Sequence, residues 1–478
     1  MHISSLPSGF GIGDFGRGAR LFADVISDCG FTLWQTLPFT EPDECFSPYK
    51  SWSAFAPNPF FISPEILFEK GLMTRAELVV MTEESPYSCE TERLFGERMG
   101  YLREALGRAD AEYDRRAERF ESAHPRLAEA ALFAALRSAN RGAPWPEWKT
   151  EEPDEEEMRF RRRLYYEFYS QWEDLHAYCT KKGIEIIGDI PIYVSYDSAD
   201  VYFNKSLFQL DRDGRPTKVA GVPPDYFSDE GQLWGNPLYD IKAMRKDGFS
   251  WWRERVRGAL EIFDGVRIDH FRGFESFWSV PADAASAKSG KWQKGGGRLL
   301  IDAIKSEANG KTVIAEDLGD ITDKVRRLVD YSGFPGMRVL QFAFLGDKDS
   351  PHLPHNYENN CFAYTGTHDN NTLLGYMWES DEKTRSDIAE YFGYPKEEWN
   401  SSYLDILRSM LASHAGSVIF PIQDILMFGA DTRMNTPGTS NGNWRYRVTA
   451  SQLETIDRKK FHRFNELYGR LPEIQCAE

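Results

Sequence analysis

Acidic residues stand at the ends of four short apolar segments of the sequence. The segments with their acids are IEIIG with Asp189, GVRI with Asp269, KTVIA with Glu316 and CFAYTGTH with Asp369. Burying several carboxylates together costs free energy unless they are paired or take part in a reaction. Paired carboxyl groups serve glycoside chemistry, in which one attacks the anomeric carbon or stabilises its charge and the other protonates the departing oxygen. The pattern therefore indicates a pocket that acts on glycosidic bonds.

Asp269 and Glu316 are the acids that their surroundings best suit to these two roles. Arg267 precedes Asp269 by two residues and so lies on the same side of its strand. The cation keeps Asp269 ionised and nucleophilic. Glu316 must instead hold a proton near neutral pH, which neighbouring carboxylates favour because they raise its pKa.

The segments that carry these acids alternate with amphipathic helical stretches, which is typical of a parallel sheet with crossover helices. In a parallel barrel the carboxyl ends of the strands converge on one face, where the active site forms. The N-terminal HISSLPS looks like the tail of a further strand, so we predict an α/β fold, a (β/α)8 TIM barrel with a truncated first strand. The other seven strands are predicted at 31–38, 184–194, 265–271, 311–318, 336–344, 361–369 and 417–426.

The long stretch between the first two of these strands predicts a separate helical unit. Residues 64–160 are rich in Glu, Arg, Ala and Leu and are interpreted as a mainly helical insertion subdomain. Residues 1–63 would then begin the barrel, and residues 161–478 would form its remainder with the substrate loops. The run EEPDEEEMRFRRR indicates a solvated helix face or a helix start, and no function is assigned to it.

Composition excludes several classes of protein. The 478 residues are 41% hydrophobic, which is enough for a large core, and 57 basic against 74 acidic residues give a net charge of −17. That charge disfavours a nucleic acid partner. The start lacks a signal sequence and no long apolar run follows, so we expect a cytoplasmic protein that does not associate with membranes. Six scattered cysteines without a C-x-x-C pair indicate reduced thiols.

Three further motifs suggest cofactors, but each lacks the necessary context. The G-x-G-x-x-G pattern at 11–16 matches a dinucleotide fingerprint, yet no strand precedes it and no suitably placed acid follows it. The GKT at 310–312 would need a glycine where Lys305 stands. A proline between His352 and His355 prevents the helical presentation of a metal-binding pair.

Aromatic residues make up 14% of the chain, and some of them lie outside any candidate core segment. The polar, glycine- and proline-rich segment 221–240 is an example, with the sequence GVPPDYFSDEGQLWGNPLYD. Rings in such a segment suit a ligand that has flat apolar faces and polar edges, and a sugar is one ligand of that kind.

A set of specific motifs runs along the chain: GIGDFG, SPYKSWSAFAPNPFFIS, GDIPIYVSYDSADV, GQLWGNPLYD, GVRIDHFRG, IAEDLG, TGTHDN, PIQDIL, and NTPGT followed by GNWRYR. This set resembles glycoside hydrolase family 77, the 4-α-glucanotransferases, also called amylomaltases or disproportionating enzymes. The resemblance covers residues 2 to about 447 in the family's order and implies no metal or organic cofactor. Two departures, Pro57 where the family usually has Gly and Ile422 where Met is common, touch none of the acids.

The resemblance also implies a role for each residue of the site. Asp269 would be the nucleophile, Glu316 the general acid and base, and Asp369 a third carboxylate that binds sugar hydroxyls and stabilises the transition state. The loop GIGDFG would follow the first barrel strand. The donor sugar site would be lined by Tyr49, Asp189, Arg267 and His368. The acceptor side would be held by Gln232, Trp234, Asn236 and Asn443.

The implied reaction is a retaining transfer of α-1,4-glucan segments between maltooligosaccharides or other α-1,4-glucans. The chain would pass to Asp269 and then to the 4-hydroxyl of an acceptor that Glu316 activates. The acceptor must outcompete water, and the rings of Trp234 and Tyr49 are candidates for excluding it. Two alternatives stay open: an α-glucan hydrolase of the amylase type, with water as acceptor, and a glucan-binding protein without activity, against which the intact acids argue.

Overall fold

The structure is a computed structural model that describes residues 1–224, 229–346, 348–395, 403–439 and 441–472. Its strands in the described residues are β1 (Leu33–Gln35), β2 (Glu185–Ile190), β3 (Lys218–Val222), β4 (Gln232–Pro237), β5 (Gly265–Ile268), β6 (Ser276–Pro281), β7 (Lys291–Lys294), β8 (Thr312–Ala315), β9 (Gly336–Val339), β10 (Cys361–Tyr364) and β11 (Ser417–Ile419).

Seven of these strands form one parallel sheet in the order β1-β2-β5-β8-β9-β10-β11. In its register Arg267 of β5 lies opposite Asp189 of β2 and Ile314 of β8, so these side chains share one face of the sheet. All seven predicted strands are present, but each is shorter than its predicted segment because the chain turns away after the last paired residue. The parallel sheet with helices around it confirms the predicted (β/α)8 barrel.

The eighth strand position lies between β1 and β11, the two edges of this sheet. In the described chain no strand precedes Leu33, and Ile3–Ser5 form a 3-10 turn instead. The Met1 amino group donates to Gln35 O at 3.1 Å, and Trp34 Nε1 donates to Met1 O at 2.7 Å. The expected remnant of a first strand is thus an irregular segment bonded to the edge of β1.

Helices surround the sheet. The helices are α1 (Arg17–Asp28), α2 (Pro64–Glu69), α3 (Arg75–Val80), α4 (Thr91–Arg93), α5 (Met99–Gly107), α6 (Ala111–Ala123), α7 (Pro125–Ala139), α8 (Glu155–Lys181), α9 (Ala199–Phe203), α10 (Ile241–Lys246), α11 (Ser250–Ile262), α12 (Gly297–Ala308), α13 (Asp323–Ser332), α14 (Leu373–Glu379), α15 (Glu382–Phe392), α16 (Tyr403–Leu411), α17 (Ile422–Ile425), α18 (Ala450–Glu454) and α19 (Arg458–Leu467).

The acidic run that was assigned no function forms the start of α8. The Asp154 side chain accepts hydrogen bonds from the backbone N–H groups of Glu156 and Glu157, and acidic side chains fill the first turn. Both features stabilise a helix N-terminus. Helices α2 to α7 lie within residues 64–160, while α8 starts there and continues to residue 181. The division into three domains stays a prediction.

A second sheet, which the sequence did not predict, lies on the side of the barrel. It is antiparallel, with the strand order β4-β3-β6-β7. Its strands contain glycine, proline and lysine, and β4 is largely exposed, so they lack the alternating apolar pattern by which a strand is predicted. This sheet positions Gln232, Trp234 and Asn236, which alternate along β4 and therefore share one face.

The barrel interior is filled by a compact apolar cluster that supports the site. Its buried members are Ile187, Ile314, Met337, Val339, Phe362 and Tyr364. Tyr364 also donates a hydrogen bond from its hydroxyl to Gln35 Oε1 at 2.8 Å, which ties β10 to β1 across the interior. The residues at the carboxyl ends of the strands therefore lie above a packed barrel interior and not above an open pore.

The glycines of the pattern at 11–16 lie in a loop that contacts the N-terminal segment closely. Gly13 N donates to Ser4 O at 2.9 Å, and a Cβ atom at Gly13 would fall 1.9 Å from Ile3 O. A side chain cannot fit there, so close backbone packing explains the glycine without a nucleotide.

The cysteines carry no disulfide in the described chain. Cys29, Cys45, Cys89, Cys179 and Cys361 are free thiols, and Cys476 lies outside the described residues. Among the helices of the described ranges, none has the length and apolarity needed to cross a membrane.

Candidate active site

Arg267, near the carboxyl end of β5, binds two of the predicted acids at once. Its Nη1 donates to Asp189 Oδ2 at 2.6 Å and its Nη2 donates to Asp269 Oδ1 at 2.7 Å. Burial by itself would lower the pKa of this guanidinium, but Asp189 and Asp269 together raise it well above its usual value. One cation thus holds two carboxylates of neighbouring strands in place.

Asp269 follows β5 directly and presents its carboxylate to the open face of the barrel. Its backbone N–H donates to Ile190 O at 3.0 Å, which extends the pairing of β5 with β2. Its side chain is 29% exposed. Oδ1 is held by Arg267, and no hydrogen bond from the described residues reaches Oδ2. One oxygen is therefore fixed while the other is available to a substrate.

Glu316 follows β8, and two backbone donors hold its carboxyl group. His270 N donates to Oε2 at 2.7 Å and Leu318 N donates to Oε1 at 2.8 Å. Burial, and then the negative charge of Asp269, raise the pKa of Glu316 to about 8, against the opposite effects of Arg267 and of the backbone donors. The raised pKa favours the protonated form of Glu316, as a general acid requires.

His270 contributes its backbone to this arrangement. It adopts a left-handed conformation with φ 47° and ψ 48°, which costs free energy in a residue other than glycine. That conformation directs its N–H at Glu316, while its ring contacts Trp234 at 5.0 Å between centroids. Burial lowers the pKa of His270 to about 4, so the imidazole is neutral under physiological conditions.

Three aromatic rings line the side of the site next to Asp189. The Tyr49 hydroxyl donates to Asp189 Oδ2 at 2.7 Å, and the Tyr49 ring stacks on His368 with centroids 5.0 Å apart. Trp444 lies 5.9 Å from Tyr49 and 5.8 Å from His368. These rings form a wall that suits the apolar faces of a sugar.

Asp369 is held by the loop that precedes Trp444. Asn435 Nδ2 donates to Asp369 Oδ1 at 2.6 Å, and Arg433 Nη2 donates to the Asp369 carbonyl at 2.6 Å. His368 Nε2 lies 3.4 Å from the same Oδ1 atom. The Asp369 side chain is 48% exposed, so its carboxylate faces the open cleft.

The three residues expected to hold the acceptor side, Gln232, Trp234 and Asn236, lie on β4. Trp234 contacts the rings of His270 and of Tyr193, the latter at 6.1 Å between centroids, and its Nε1 donates to Gln232 Oε1 at 3.0 Å. Asn236 Nδ2 donates to Val194 O at 2.9 Å and fastens the strand to the barrel. Residues 225–228, which include two rings of the aromatic segment, lie outside the described residues.

Asn443, which was expected on the acceptor side, forms its side-chain hydrogen bonds within its own loop. Its Oδ1 accepts from Thr436 N at 2.9 Å, and its Nδ2 donates to Thr439 O at 3.0 Å. The amide is therefore committed to folding its own loop. The next residue, Trp444, has a positive φ of 64° and carries the ring that reaches Tyr49 and His368.

Sequence reasoning missed Trp444 and Asn435. Each lies inside a motif that was already recognised, in GNWRYR and NTPGT. The motifs marked the segments, but only the folded loops reveal that Trp444 contacts the ring of Tyr49 and that Asn435 donates a hydrogen bond to Asp369. Asp317, the second acid at the end of β8, points away, since its Oδ1 accepts from the backbone N–H of Met337 at 2.7 Å.

Two cavities adjoin the site, but neither contains the central pair of acids. A cavity of about 360 Å³ between α7 and α11 reaches Tyr49 and Asp189, and one of about 100 Å³ lies under Arg267 and His368. Asp269 and Glu316 line neither of them.

Comparison with known proteins identifies the family of the chain. The family model described as 4-alpha-glucanotransferase, glycoside hydrolase family 77, matches residues 1–453. The 4-alpha-glucanotransferase of Clostridium butyricum is 40% identical over 98% of this chain and all of the relative, and that of Synechocystis is 39% identical over 98% and 97%. The amylomaltase of Streptococcus agalactiae, solved in complex with acarbose, superposes with a TM-score of 0.94 at 34% identity, covering 99% of each chain.

The match to the family model spans most of the sequence, and the curated relatives align along nearly the whole chain. The chain therefore belongs to glycoside hydrolase family 77 and is a transferase of the 4-alpha-glucanotransferase family.

Proposed function

We propose that this transferase moves α-1,4-glucan segments between maltooligosaccharides or other α-1,4-glucans by a retaining double displacement. The observation that carries the mechanism is the contrast between two carboxyl groups. Asp269 is ion-paired with Arg267, whereas Glu316 is buried with its pKa raised to about 8. One group is thus prepared to attack and the other to donate a proton.

In the first displacement Asp269 Oδ2 attacks the anomeric carbon of the donor sugar. Glu316 gives its proton to the oxygen of the breaking α-1,4 linkage, and the shortened glucan leaves with a free 4-hydroxyl. Arg267 holds Oδ1 of the nucleophile during this step. Asp369 is exposed to the cleft and fixed by Asn435, so it accepts hydrogen bonds from sugar hydroxyls and stabilises the positive charge of the transition state.

In the second displacement the ionised Glu316 takes the proton of the acceptor's 4-hydroxyl. The acceptor oxygen then attacks the anomeric carbon, the bond to Asp269 breaks, and an α-1,4 linkage forms again. No metal or organic cofactor enters either step. The two inversions together retain the configuration of the donor.

Transfer requires that a sugar rather than water occupy the acceptor position. Trp234 lies against His270, whose backbone holds the acid, so a sugar that packs on this ring is close to Glu316. Such packing raises the effective concentration of the acceptor and excludes water from the glycosyl-enzyme. On the donor side Tyr49, His368 and Trp444 supply the corresponding wall.

The test is a time course of the purified protein with maltotriose, followed by chromatography of the products and by an assay of reducing ends. Disproportionation gives glucose together with maltopentaose and longer chains while the number of reducing ends stays constant. Glucose and maltose with rising reducing ends would instead identify a hydrolase. Unchanged maltotriose would contradict both enzymatic activities and favour the glucan-binding protein without activity.

A further inference from the structure

Arg272 is a buried cation in the segment that follows Asp269. It lies in the 3-10 turn Phe271–Phe274, and only 7% of its side chain is exposed. Its Nη1 donates to the backbone O of Asp320 at 2.5 Å. Arg272 therefore joins the segment after β5 to the segment after β8.

The segment that Arg272 holds is the one that fixes the acid. Glu316 Oε1 accepts its second hydrogen bond from Leu318 N, only two residues before Asp320. Gly319 stands between them with φ +83°, so the chain turns sharply at this point. The bond from Arg272 to Asp320 O closes this turn and thereby fixes the direction of the Leu318 N–H.

The same guanidinium also meets the second sheet. Its Cζ lies 4.0 Å above the ring of Trp292 on β7. Trp292 is 42% exposed whereas Arg272 is almost fully buried, so the ring covers the cation on its solvent side. Through β6 and β3 this strand belongs to the sheet whose β4 carries Trp234. Arg272 thus contacts both the segment after β8, which holds Glu316, and the antiparallel sheet that carries Trp234.

We propose that Arg272 is a positioning residue for Glu316, which it holds in register with the acceptor-side sheet by bonding Asp320 O while stacking on Trp292. This inference rests on the proposed function of Glu316 as the acid and base. Lysine keeps the charge but lacks the planar group that bonds and stacks simultaneously. Charge alone therefore does not replace Arg272.

Losing this anchor has a signature that general destabilisation lacks. The bond from Leu318 N favours the ionised form of Glu316 and so lowers its pKa, in opposition to burial and Asp269. When the turn loosens, this bond weakens and the pKa of Glu316 rises further. A variant that lacks the Arg272 contacts is therefore expected to have a lower kcat. The alkaline limb of its pH profile is expected to move to higher pH.

The experiment compares Arg272→Lys, Trp292→Ala and Trp292→Phe with the unaltered protein, using kcat for maltotriose consumption across pH. We expect Arg272→Lys to lower kcat about tenfold and to move the alkaline limb upward by about half a pH unit. Trp292→Ala is expected to lower kcat and to move the limb in the same directions by smaller amounts. Trp292→Phe keeps an aromatic ring and is expected to retain the kcat and the limb position of the unaltered protein. Arg326→Lys, at an exposed arginine of α13, is the matched control.

Two results would overturn the inference. One is that kcat and the alkaline limb of the pH profile stay unchanged in both Arg272→Lys and Trp292→Ala. The other is that kcat falls while the limb does not move.

The products that the unaltered protein forms test the proposed function separately. If the protein releases reducing ends instead of transferring, the same variants are compared by that rate, because hydrolysis also uses Glu316. If it does neither, carbodiimide labelling of Glu316 against pH, mapped by peptide mass, measures the expected shift directly.

Discussion

The backbone N–H of His270 donates a hydrogen bond to Glu316 Oε2 at 2.7 Å, so the residue directly after Asp269 holds the acid at the end of the neighbouring strand. The two carboxyl groups are therefore spaced by main chain rather than by flexible side chains. A further backbone bond, from Phe271 N to Glu316 O at 3.1 Å, reinforces the same link. Preorganisation of this kind reduces the rearrangement that the reaction requires.

Replacing Glu316 with Gln should abolish turnover and leave glucan binding largely intact. Gln is of equal size and can still accept a hydrogen bond from a backbone donor, but it cannot give a proton to the leaving oxygen. We expect kcat to fall by about a hundredfold or more. Maltotriose turnover and calorimetric binding measure the two effects. Glu466→Gln, at an exposed pair on α19, is the control, and full activity of Glu316→Gln would remove the assignment.

The pH dependence of kcat/KM should show an alkaline limb near pH 8. Burial and the charge of Asp269 raise the pKa of Glu316 to about 8, so the free enzyme holds the catalytic proton below this pH and loses it above. Initial rates at low maltotriose concentration between pH 5 and pH 10 would measure the limb. A fall in kcat/KM already above pH 5 would mean that Glu316 titrates like an ordinary glutamate and would contradict the role proposed for it.

The barrel and its acids were predictable because both depend on local sequence. Short apolar runs between helical stretches mark the strands, and acids such as Asp269 and Glu316 stand where each run ends. The second sheet was not predictable, since β4 is largely exposed and the strands carry glycine, proline and lysine instead of an alternating apolar pattern. Likewise the packing of Trp444 on Tyr49, nearly 400 residues away in the chain, is a contact that no local pattern encodes.

Replacing Arg267 with Met should destabilise the fold and also stop turnover. The substitution leaves Asp189 and Asp269 without their shared cation, and the Asp189 carboxylate is almost completely buried. Breaking a buried ion pair on one side costs about 3–5 kcal/mol. The shift of the urea denaturation midpoint measures this loss.

Arg257→Met is the matched control for Arg267→Met. Arg257 pairs with Glu307 at 2.8 Å, but its side chain is 54% exposed, so water replaces the lost partner and the cost is below about 1 kcal/mol. Equal denaturation midpoints for the two variants would show that burial of the Arg267 network adds nothing to stability. Activity should separate them as well, since Arg257 lies on α11 on the outside of the barrel.

Replacing Trp234 with Ala should shift the products from transfer towards hydrolysis. Trp234 is 37% exposed and packs edge-on against His270, so its free face is available to an acceptor sugar next to the acid. A ring contact contributes about 1 kcal/mol, or about fivefold in acceptor occupancy. When acceptor occupancy falls about fivefold, water reacts with the glycosyl-enzyme about fivefold more often relative to the acceptor. The ratio of new reducing ends to transferred chains should rise by the same factor. Trp234→Phe keeps a ring and should stay close to the unaltered protein. An unchanged ratio in Trp234→Ala would assign the acceptor contact to another surface.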